Sequence, residues 1–369
     1  MHLRRRQRFM TVGVAAVATA LSLAACSSSS TTSAPSGSTT SAPAGGSTAS
    51  GAKLSGTLNG SGSTFQTVYQ QTAISSFKSV QPNMTVNYGS GGSGKGRTDL
   101  ASGVVNFAGS DSPIPSAETA NFKGKTVLYF PVFLGPITVS YNLSGVSGLK
   151  LDATVLAEIF SGKITTWDNS AIAALNSGAK LPSSPITIAV RSDSSGTTQN
   201  FSLYLEKAGG SAWTLGSSST IKWPSAARAG NGNPGVAQII KSTPGAIGYV
   251  DYSDAKASGL SYASIKNSSG NYVAPSTQAA SAAGNGITIE PNLTFHAVDS
   301  SEPTAYPITY QSWVLVYETQ PNANDAAMLK AYIGYLVGDG QQLLGELGYA
   351  PLPSSLQQKA QAQLSQITS

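Results

Sequence analysis

From Lys53 to the C-terminus, short runs rich in β-branched and aromatic residues alternate with segments of helical periodicity. Strands that pair in parallel need long crossover connections, and a helix between them provides one. The alternation therefore predicts an α/β fold, and a chain of 369 residues has room for two such lobes. The predicted strands are Thr85–Tyr88, Val127–Val132, Ile137–Tyr141, Ile186–Val190, Ala246–Tyr249 and Ser312–Tyr317. The predicted helices are Phe65–Val80, Gly96–Ser102, Ala153–Phe160, Thr198–Ala208, Val236–Lys241 and Ala326–Leu336.

The N-terminal segment has a different pattern, which is typical of an export signal. Met1–Arg8 is positively charged, and Phe9–Leu23 is apolar but too short to span a bilayer comfortably. The sequence Leu23-Ala24-Ala25-Cys26 then resembles a bacterial lipobox, in which the cysteine becomes lipidated. An ordinary signal peptide with a chance cysteine is the alternative, but Cys26 is the only cysteine of the chain and stands at the required place. We therefore predict a lipoprotein signal peptide over residues 1–25.

Residues 26–52 consist mainly of Ser, Thr, Pro, Gly and Ala, which cannot form a core. Such a segment is predicted to be a flexible tether, with a root-mean-square reach of roughly 25–30 Å. Together with the signal, it predicts an exported protein that is lipid-anchored to the outer face of the cytoplasmic membrane. Because the chain has one cysteine, an intramolecular disulfide is excluded.

The charge of the chain argues against a nucleic-acid partner. Only 11% of the residues are charged, and the net charge of +5 comes from 22 basic and 17 acidic residues. Four arginines lie within the first ten residues, and without them 18 basic residues face 17 acidic ones. The basicity belongs mostly to the export signal, so no nucleic-acid patch is predicted.

Three loops rich in glycine and hydroxyl residues each precede a predicted helix: residues 60–65, 89–94 and 191–197. Unpaired backbone N–H groups at a helix N-terminus attract anions, glycine permits close approach, and Ser or Thr hydroxyls add donors. Plain N-capping is the alternative for any one loop. Three such loops, one of them carrying Arg191, favour an anion site. The second loop nearly matches a phosphate-binding loop for nucleotides, but Gly96 stands where Ser or Thr should hold magnesium.

An enzyme is the first rival function. A serine hydrolase needs an activated nucleophile, usually with a histidine base. Beyond the signal segment the chain has one histidine, His296, which lies outside every candidate loop. No cluster of residues has the spacing of a metal site. The sequence therefore predicts a binding protein that carries neither a metal nor a cofactor.

In combination, these segments resemble the phosphate-binding proteins of bacterial phosphate-specific ABC importers, from about Leu54 to the C-terminus. The resemblance depends on the order and spacing of seven motifs. They are Gly-Ser-Gly-Ser-Thr-Phe (60–65), Ser-Gly-Gly-Ser-Gly (90–94), Gly-Ser-Asp-Ser-Pro (109–113), Gly-Lys-Ile-Thr-Thr-Trp-Asp (162–168), Arg-Ser-Asp-Ser-Ser-Gly-Thr (191–197), Pro-Gly-Ala-Ile-Gly-Tyr-Val (244–250) and Tyr-Pro-Ile-Thr (306–309).

The resemblance implies a phosphate site and a role for each of its residues. Asp111 would accept a hydrogen bond from a protonated phosphate oxygen. Arg191 would donate to the anion while paired with Asp193, which orients it. The remaining ligand contacts would be Thr64, Phe65, Ser93, Ser195, Gly196 and Thr197.

The resemblance also implies a two-lobed periplasmic-binding-protein-like fold of type II, with a hinge and a ligand cleft between the lobes. Lobe one would contain residues 53–142 and 308–369, and lobe two residues 143–307. The expected partners are inorganic phosphate, the membrane permease subunits of an ABC importer and its cytoplasmic ATPase, and a monomer is expected.

Two departures from the family pattern leave the affinity open. Gln66 stands where many relatives have proline, and Lys95 adds a charge beside the second loop. Two alternatives to phosphate uptake also stay open. One is the binding of another tetrahedral oxyanion such as sulfate or molybdate, although Asp111 favours a ligand that carries a proton. The other is a phosphate sensor or adhesin uncoupled from transport.

Overall fold

The computed structural model describes residues 53–369, so the predicted signal peptide (1–25), the tether (26–52) and Cys26 lie outside the described residues. The strands are β1 Gly56–Gly62, β2 Met84–Ser90, β3 Phe107–Ser110, β4 Val127–Tyr141, β5 Lys150–Leu151, β6 Thr187–Arg191, β7 Arg228–Gly230, β8 Ala246–Asp251, β9 Ser261–Tyr262, β10 Ser264–Lys266, β11 Tyr272–Val273 and β12 Thr309–Tyr317. The α-helices are α1 Thr67–Val80, α2 Ser93–Ala101, α3 Ala153–Phe160, α4 Ser170–Leu175, α5 Gly196–Ala208, α6 Gly232–Ser242, α7 Tyr252–Ser258, α8 Thr277–Ala283, α9 Ala323–Leu336, α10 Leu344–Leu347 and α11 Ser354–Gln363. Short 3₁₀ helices cover Ser116–Phe122, Gly210–Ala212, Asp339–Leu343 and Leu364–Gln366.

The main sheet has the strand order β2-β1-β3-β12-β4-β8-β6-β7, with β9 also paired to β4. Its two ends are parallel trios, β2-β1-β3 and β8-β6-β7. Between them, β12 and β4 run antiparallel to each other and to the strand on either side. This mixture of parallel trios with crossover helices confirms the predicted α/β class.

Strand β4 passes from one half of the sheet to the other. Its residues up to Pro136 pair with β12, and its residues from Ile137 pair with β8. The sequence predicted two strands here, but Phe133–Pro136 remain extended because they continue the pairing with β12. The lobe boundaries predicted at residues 142/143 and 307/308 stay a prediction.

The other predicted strands and helices are present, with ends that differ by a few residues. Strands β1, β3, β5, β7, β9, β10 and β11 were missed, and all of these except β1 are four residues or shorter. The sequence of β1, Gly-Thr-Leu-Asn-Gly-Ser-Gly, is poor in strand-forming residues. Its glycines serve close packing instead. A Cβ atom at Gly60 would lie 2.2 Å from the Phe107 ring, and one at Gly62 would lie 2.2 Å from the Gly109 carbonyl oxygen. The strand therefore needs glycine where its neighbours approach.

The largest buried cluster of apolar side chains runs from α1 through both halves of the sheet to the C-terminal helices. Aromatic contacts pack its centre: the Phe65 ring stacks on Tyr310 at 4.1 Å between ring centroids and meets Phe133 edge-on at 4.9 Å. This packing fixes the backbone at the start of α1. Over residues 53–369, no helix is long and apolar enough to cross a membrane.

Candidate functional site

The candidate site lies where strands of the two parallel trios reach their carboxyl ends. Strand β1 ends at Gly62 and β3 at Ser110, while β6 ends at Arg191 and β7 at Gly230. Each is followed by a loop that carries polar side chains, and three of these loops start a helix. Ligands of α/β proteins bind outside the carboxyl ends of parallel strands, where free N–H groups and side chains converge.

Asp111 follows β3 directly, and its carboxylate is buried among three serine hydroxyls. The Ser63 hydroxyl donates to both carboxylate oxygens at 2.7 Å. The Ser312 hydroxyl donates to Oδ1 at 2.5 Å, and the Ser93 hydroxyl donates to Oδ2 at 3.2 Å. Within residues 53–369, no lysine or arginine lies within salt-bridge distance of this carboxylate. In the described structure the side-chain partners of this carboxylate are therefore hydroxyl groups, without a direct ion pair.

The burial of Asp111 alters its acidity. Burial raises the pKa of Asp111 to about 6, because removal of water disfavours the ionised form. The hydroxyls of Ser312 and Ser63 and the charge of Arg191 act in the opposite direction. Near neutral pH the carboxylate is ionised, and an ionised carboxylate can only accept hydrogen bonds.

Arg191 ends β6 and is paired with a carboxylate two residues later. Its Nε donates to Asp193 Oδ1 at 2.8 Å and its Nη2 to Asp193 Oδ2 at 2.5 Å, which is a bidentate pair. Burial alone would raise the pKa of Asp193, but the hydrogen bonds and charge of Arg191 keep it below its ordinary value. The Nη1 atom of Arg191 faces Thr197 Oγ1 at 3.2 Å and Asn233 Oδ1 at 3.3 Å. The guanidinium plane is thus fixed toward the loop that starts α5.

Asn233 joins the two halves of the site and was missed in the sequence. Its Nδ2 atom lies 3.3 Å from Thr64 Oγ1 on one side and 3.4 Å from Thr197 Oγ1 on the other. The same atom donates to the buried Asp251 at 2.6 Å. The sequence does contain a signal for Asn233: Gly-Asn-Gly-Asn-Pro-Gly (230–235) is a fourth glycine-rich loop between a strand and a helix.

The loops of the two trios touch each other. The Gly94 N–H donates to the Ser194 carbonyl oxygen at 3.0 Å. A Cβ atom at Gly196 would lie 2.5 Å from Ser93 Oγ and 2.6 Å from Asp111 Cβ. The start of α5 therefore reaches the Asp111 carboxylate only because residue 196 has no side chain.

The structure brings all of the predicted ligand residues into this region. The Phe65 N–H already donates to Ser63 Oγ at 3.1 Å, and the Ser195 hydroxyl caps α5 by accepting from Thr198 N–H at 3.1 Å. Lys95 points to a different partner: its Nζ atom pairs with Asp99 at 2.6 Å, and its side chain is 55% exposed. Its charge is therefore balanced locally, outside the site.

Several further polar residues line the region around Asp111. Asn200 Nδ2 donates to the Asp111 carbonyl oxygen at 2.6 Å and connects α5 with the end of β3. Gln311 Nε2 donates to Asn200 Oδ1 at 3.2 Å. Neither residue lies in a glycine-rich loop, so the sequence carried no local signal for them.

The groups gathered here are chemically suited to a small oxyanion. Hydroxyl, amide and guanidinium donors converge with one carboxylate acceptor. His296, the histidine available as a base, is exposed and lines a cavity formed by residues 285–302, which includes none of the predicted ligand residues. Over the described part of the chain, no group of three or more His, Cys, Asp or Glu side chains could hold a metal ion.

Comparisons with known proteins bear on the family of the chain. A family model described as the PBP superfamily domain matches residues 47–340. The phosphate-binding protein PstS 3 of Mycobacterium leprae is 35% identical over 313 residues, which cover 82% of this chain and 85% of the relative. The phosphate-binding protein PstS of Pasteurella multocida is 34% identical over 314 residues, covering 83% and 89%.

Solved structures show a similar fold at lower identity. A phosphate-binding protein from Stenotrophomonas maltophilia has a TM-score of 0.67 and 20% identity, over 83% of this chain and 93% of that one. A high-affinity periplasmic phosphate-binding protein bound with phosphate, PfluDING, has a TM-score of 0.69 and 21% identity, over the same shares of the two chains.

Proposed function

The chain belongs to the PBP superfamily and, within it, to the family of phosphate-binding proteins PstS, and from this premise we propose that it binds inorganic phosphate outside the cytoplasm for uptake by an ABC importer. The ligand residues of the proposal are Thr64, Phe65, Ser93, Asp111, Arg191, Ser195, Gly196 and Thr197, with Asp193 orienting Arg191.

The single observation that carries this proposal is that a buried carboxylate acceptor, Asp111, lies in the same site as several hydrogen-bond donors. Asp111 is acceptor-only when ionised, so it matches an anion that keeps a proton at neutral pH. Phosphate keeps at least one proton there, whereas sulfate has none. Arg191, Thr197 and Asn233 present donors on the other side of the site. The chemistry of the site therefore favours phosphate over sulfate or molybdate.

Calorimetry of the mature domain with phosphate, sulfate and molybdate tests this function. We expect tight binding of phosphate and much weaker binding of the other two anions. Equal or tighter binding of sulfate would overturn the assignment. Incubation with a nitrophenyl phosphate ester is the companion measurement, in which a binding protein that is not an enzyme releases no nitrophenol above background.

The proposal includes a clamp that closes on the anion. Asp111 and Ser93 belong to the β2-β1-β3 side and Arg191 to the β8-β6-β7 side, so one anion would bridge the two. A ligand that gains contacts only in the closed form shifts the population toward it. The proposed lobes are residues 53–142 with 308–369, and residues 143–307.

The location of the protein is the last part of the proposal. We expect Cys26 to carry a lipid that holds the protein at the outer face of the cytoplasmic membrane, beside the permease subunits and as a monomer. Cys26→Ser should release the protein from the membrane fraction into the medium or periplasm. Retention of the variant in the membrane fraction would refute the lipid anchor.

A further inference from the structure

A chain of buried side chains leads from α9 to the Asp111 carboxylate. The Tyr332 hydroxyl donates to Gln70 Oε1 at 2.6 Å, and Gln70 Nε2 donates to Gln66 Oε1 at 2.8 Å. Gln66 Nε2 then donates to Ser312 Oγ at 2.8 Å, and Ser312 donates to Asp111. All five side chains are essentially inaccessible to solvent. The chain is therefore a continuous hydrogen-bonded path between the core and the proposed ligand acceptor.

The orientation of the Gln66 amide follows from its neighbours. Its Nε2 atom lies 2.8 Å from the carbonyl oxygen of Trp313, which can only accept, so this atom must be the nitrogen. The other Nε2 hydrogen then points at Ser312 Oγ. Because an amide nitrogen only donates, the Ser312 oxygen accepts from Gln66 and must direct its own proton elsewhere.

That proton has one destination in the described structure, the Oδ1 atom of Asp111 at 2.5 Å. The two other serines at Asp111 are oriented in the same manner. Ser63 Oγ accepts from the Phe65 N–H, and Ser93 Oγ accepts from the Asp111 N–H at 3.1 Å. All three hydroxyls therefore have their oxygen occupied by an N–H group and their proton aimed at the carboxylate.

We propose that Gln66 is a specificity-determining residue that acts through Ser312: by fixing the direction of that hydroxyl, it keeps Asp111 a pure acceptor for a protonated oxyanion. This inference rests on the proposed phosphate function. Gln66 does not touch the anion, so it is a positioning residue. Its role is distinct from that of Ser63 and Ser93, whose orientation comes from backbone N–H groups within the binding loops.

The surroundings of Asp111 make selectivity and its pH dependence the informative readouts. A fully oriented set of donors favours the ionised carboxylate, whereas a hydroxyl free to rotate could accept from a protonated one. A protonated Asp111 donates, and so it tolerates sulfate. The charged and titratable groups that interact electrostatically with Asp111 are Arg191, Tyr88, Tyr310 and Tyr349. Burial raises the pKa of each of these tyrosines, so they remain neutral through the acidic and neutral range.

The test compares Gln66→Met, Ser312→Ala and the double variant by calorimetric titration with phosphate and with sulfate at several pH values. We expect Gln66→Met to lower the ratio of phosphate to sulfate affinity by about tenfold, the size of one lost hydrogen bond to a charged group. As the pH is lowered, the sulfate affinity of this variant should begin to rise at a higher pH than that of the wild type. The double variant should resemble Ser312→Ala alone, because Gln66 acts through that hydroxyl.

The matched control is Gln341→Met. Gln341 is also a buried glutamine, but its Nε2 atom donates to the carbonyl oxygens of Val132 and Leu336 rather than to a site residue. This variant should lose stability without losing selectivity. If Gln66→Met fails to fold, Gln66→Glu keeps the shape of the side chain. Burial near Asp111 favours the protonated form of this glutamic acid, whose single O–H cannot serve both the Trp313 carbonyl oxygen and Ser312. With its O–H on the carbonyl oxygen it no longer donates to Ser312, so this variant should also lower selectivity.

The outcomes separate the two levels of the proposal. A wild type that selects phosphate, with Gln66→Met and Gln66→Glu equally selective, overturns the role of Gln66 and leaves the phosphate function intact. The role of Gln66 is also overturned if the double variant loses the sum of the selectivity lost in Gln66→Met and in Ser312→Ala, because additive losses mean that the two residues act independently. A wild type that binds sulfate as well as phosphate overturns the phosphate function and this inference together.

Discussion

The two sides of the site differ in the groups that surround their charged side chain. On the β2-β1-β3 side, the Asp111 carboxylate is surrounded by the hydroxyls of Ser63, Ser93 and Ser312. On the β8-β6-β7 side, Arg191 is paired with a carboxylate of its own, Asp193. The side-chain partners of the acceptor are hydroxyl groups, and the cation is neutralised by an opposite charge.

The difference shows how an anion can be bound with little formal charge. Because Asp193 balances Arg191, the charges of Arg191, Asp193 and ionised Asp111 sum to one negative charge. An anion would then be bound by oriented donors and by the proton that it shares with Asp111. Affinity should depend mostly on the arginine side, and selectivity mostly on the aspartate side.

The largest expected effect comes from removing the acceptor. Sulfate and phosphate are similar in size and shape, so under the proposal the discrimination should depend on Asp111, which would meet a proton on phosphate and only lone pairs on sulfate. Sites built on such a polar match discriminate by roughly 10⁴-fold or more. Asp111→Asn should strongly reduce the ratio of phosphate affinity to sulfate affinity, because an amide can also donate a hydrogen bond. Competition calorimetry with both anions measures it.

Asp339→Asn, at an exposed position, is the matched control and should keep the full preference. An Asp111→Asn protein that discriminates as well as the wild type would show that selectivity resides elsewhere, most directly in the donor set around Arg191.

The same carboxylate should make stability depend on pH. Burial raises the pKa of Asp111 to about 6, above its ordinary value of 3.8, so between about pH 4 and 6 the folded protein retains a proton that the unfolded chain releases. The contribution of protonated Asp111 to the free energy of unfolding is complete below about pH 4 and is lost as the pH rises through about 6. A shift of this size corresponds to about 3 kcal/mol.

Urea unfolding of the wild type and Asp111→Asn at pH 4 and pH 7, without phosphate, isolates this contribution. Other groups, such as Asp251 with its raised pKa and Asp193 with its lowered pKa, contribute equally to both proteins and cancel. The wild type should lose more stability between the two pH values than the variant does. Parallel curves would mean that Asp111 has an ordinary pKa.

Removing the cation should weaken the binding of phosphate with a smaller effect on selectivity. Arg191→Ala deletes a charge-assisted donor and leaves the partly buried Asp193 unpaired. The affinity for phosphate should fall by roughly 10- to 150-fold, which corresponds to about 1.5–3 kcal/mol. Arg228→Ala is the control, since Arg228 is exposed and contacts Thr243. An affinity within a factor of two of wild type would reject Arg191 as a ligand residue.

The two sides also differ in how well the sequence predicted them. The motifs identified the family, which the comparisons confirm. The alternating pattern predicted five of the twelve strands and six of the eleven α-helices, and it missed β1 and β3, which lead into the site. On the arginine side, Arg191, Asp193 and Thr197 lie within one seven-residue motif, so local sequence carried their proximity. On the aspartate side, Ser312 is 201 residues from Asp111, and Gln66 is 246 residues from Ser312. Their contacts follow from the position of β3 between β1 and β12, which no local pattern encodes.

The smallest predicted effect tests whether the two sides must meet. Gly196 is the first residue of α5 and has ordinary helical geometry, so alanine would not strain the backbone. Its methyl group would, however, lie about 2.5 Å from Ser93 Oγ and 2.6 Å from Asp111 Cβ, across the contact between the halves. Such overpacking typically costs about 1–3 kcal/mol. Gly196→Ala should therefore weaken phosphate binding by about tenfold.

Small-angle scattering with and without saturating phosphate reads out the closure directly. The wild type should show a smaller radius of gyration with phosphate, and Gly196→Ala a smaller decrease. Gly345→Ala is the control, because Gly345 lies in helix α10 with open space around its Cβ position. An identical scattering profile of the wild type in both conditions would mean that the site is already closed without its ligand. In that case the loss of affinity in Gly196→Ala would report local packing against Asp111 rather than the movement of one half toward the other.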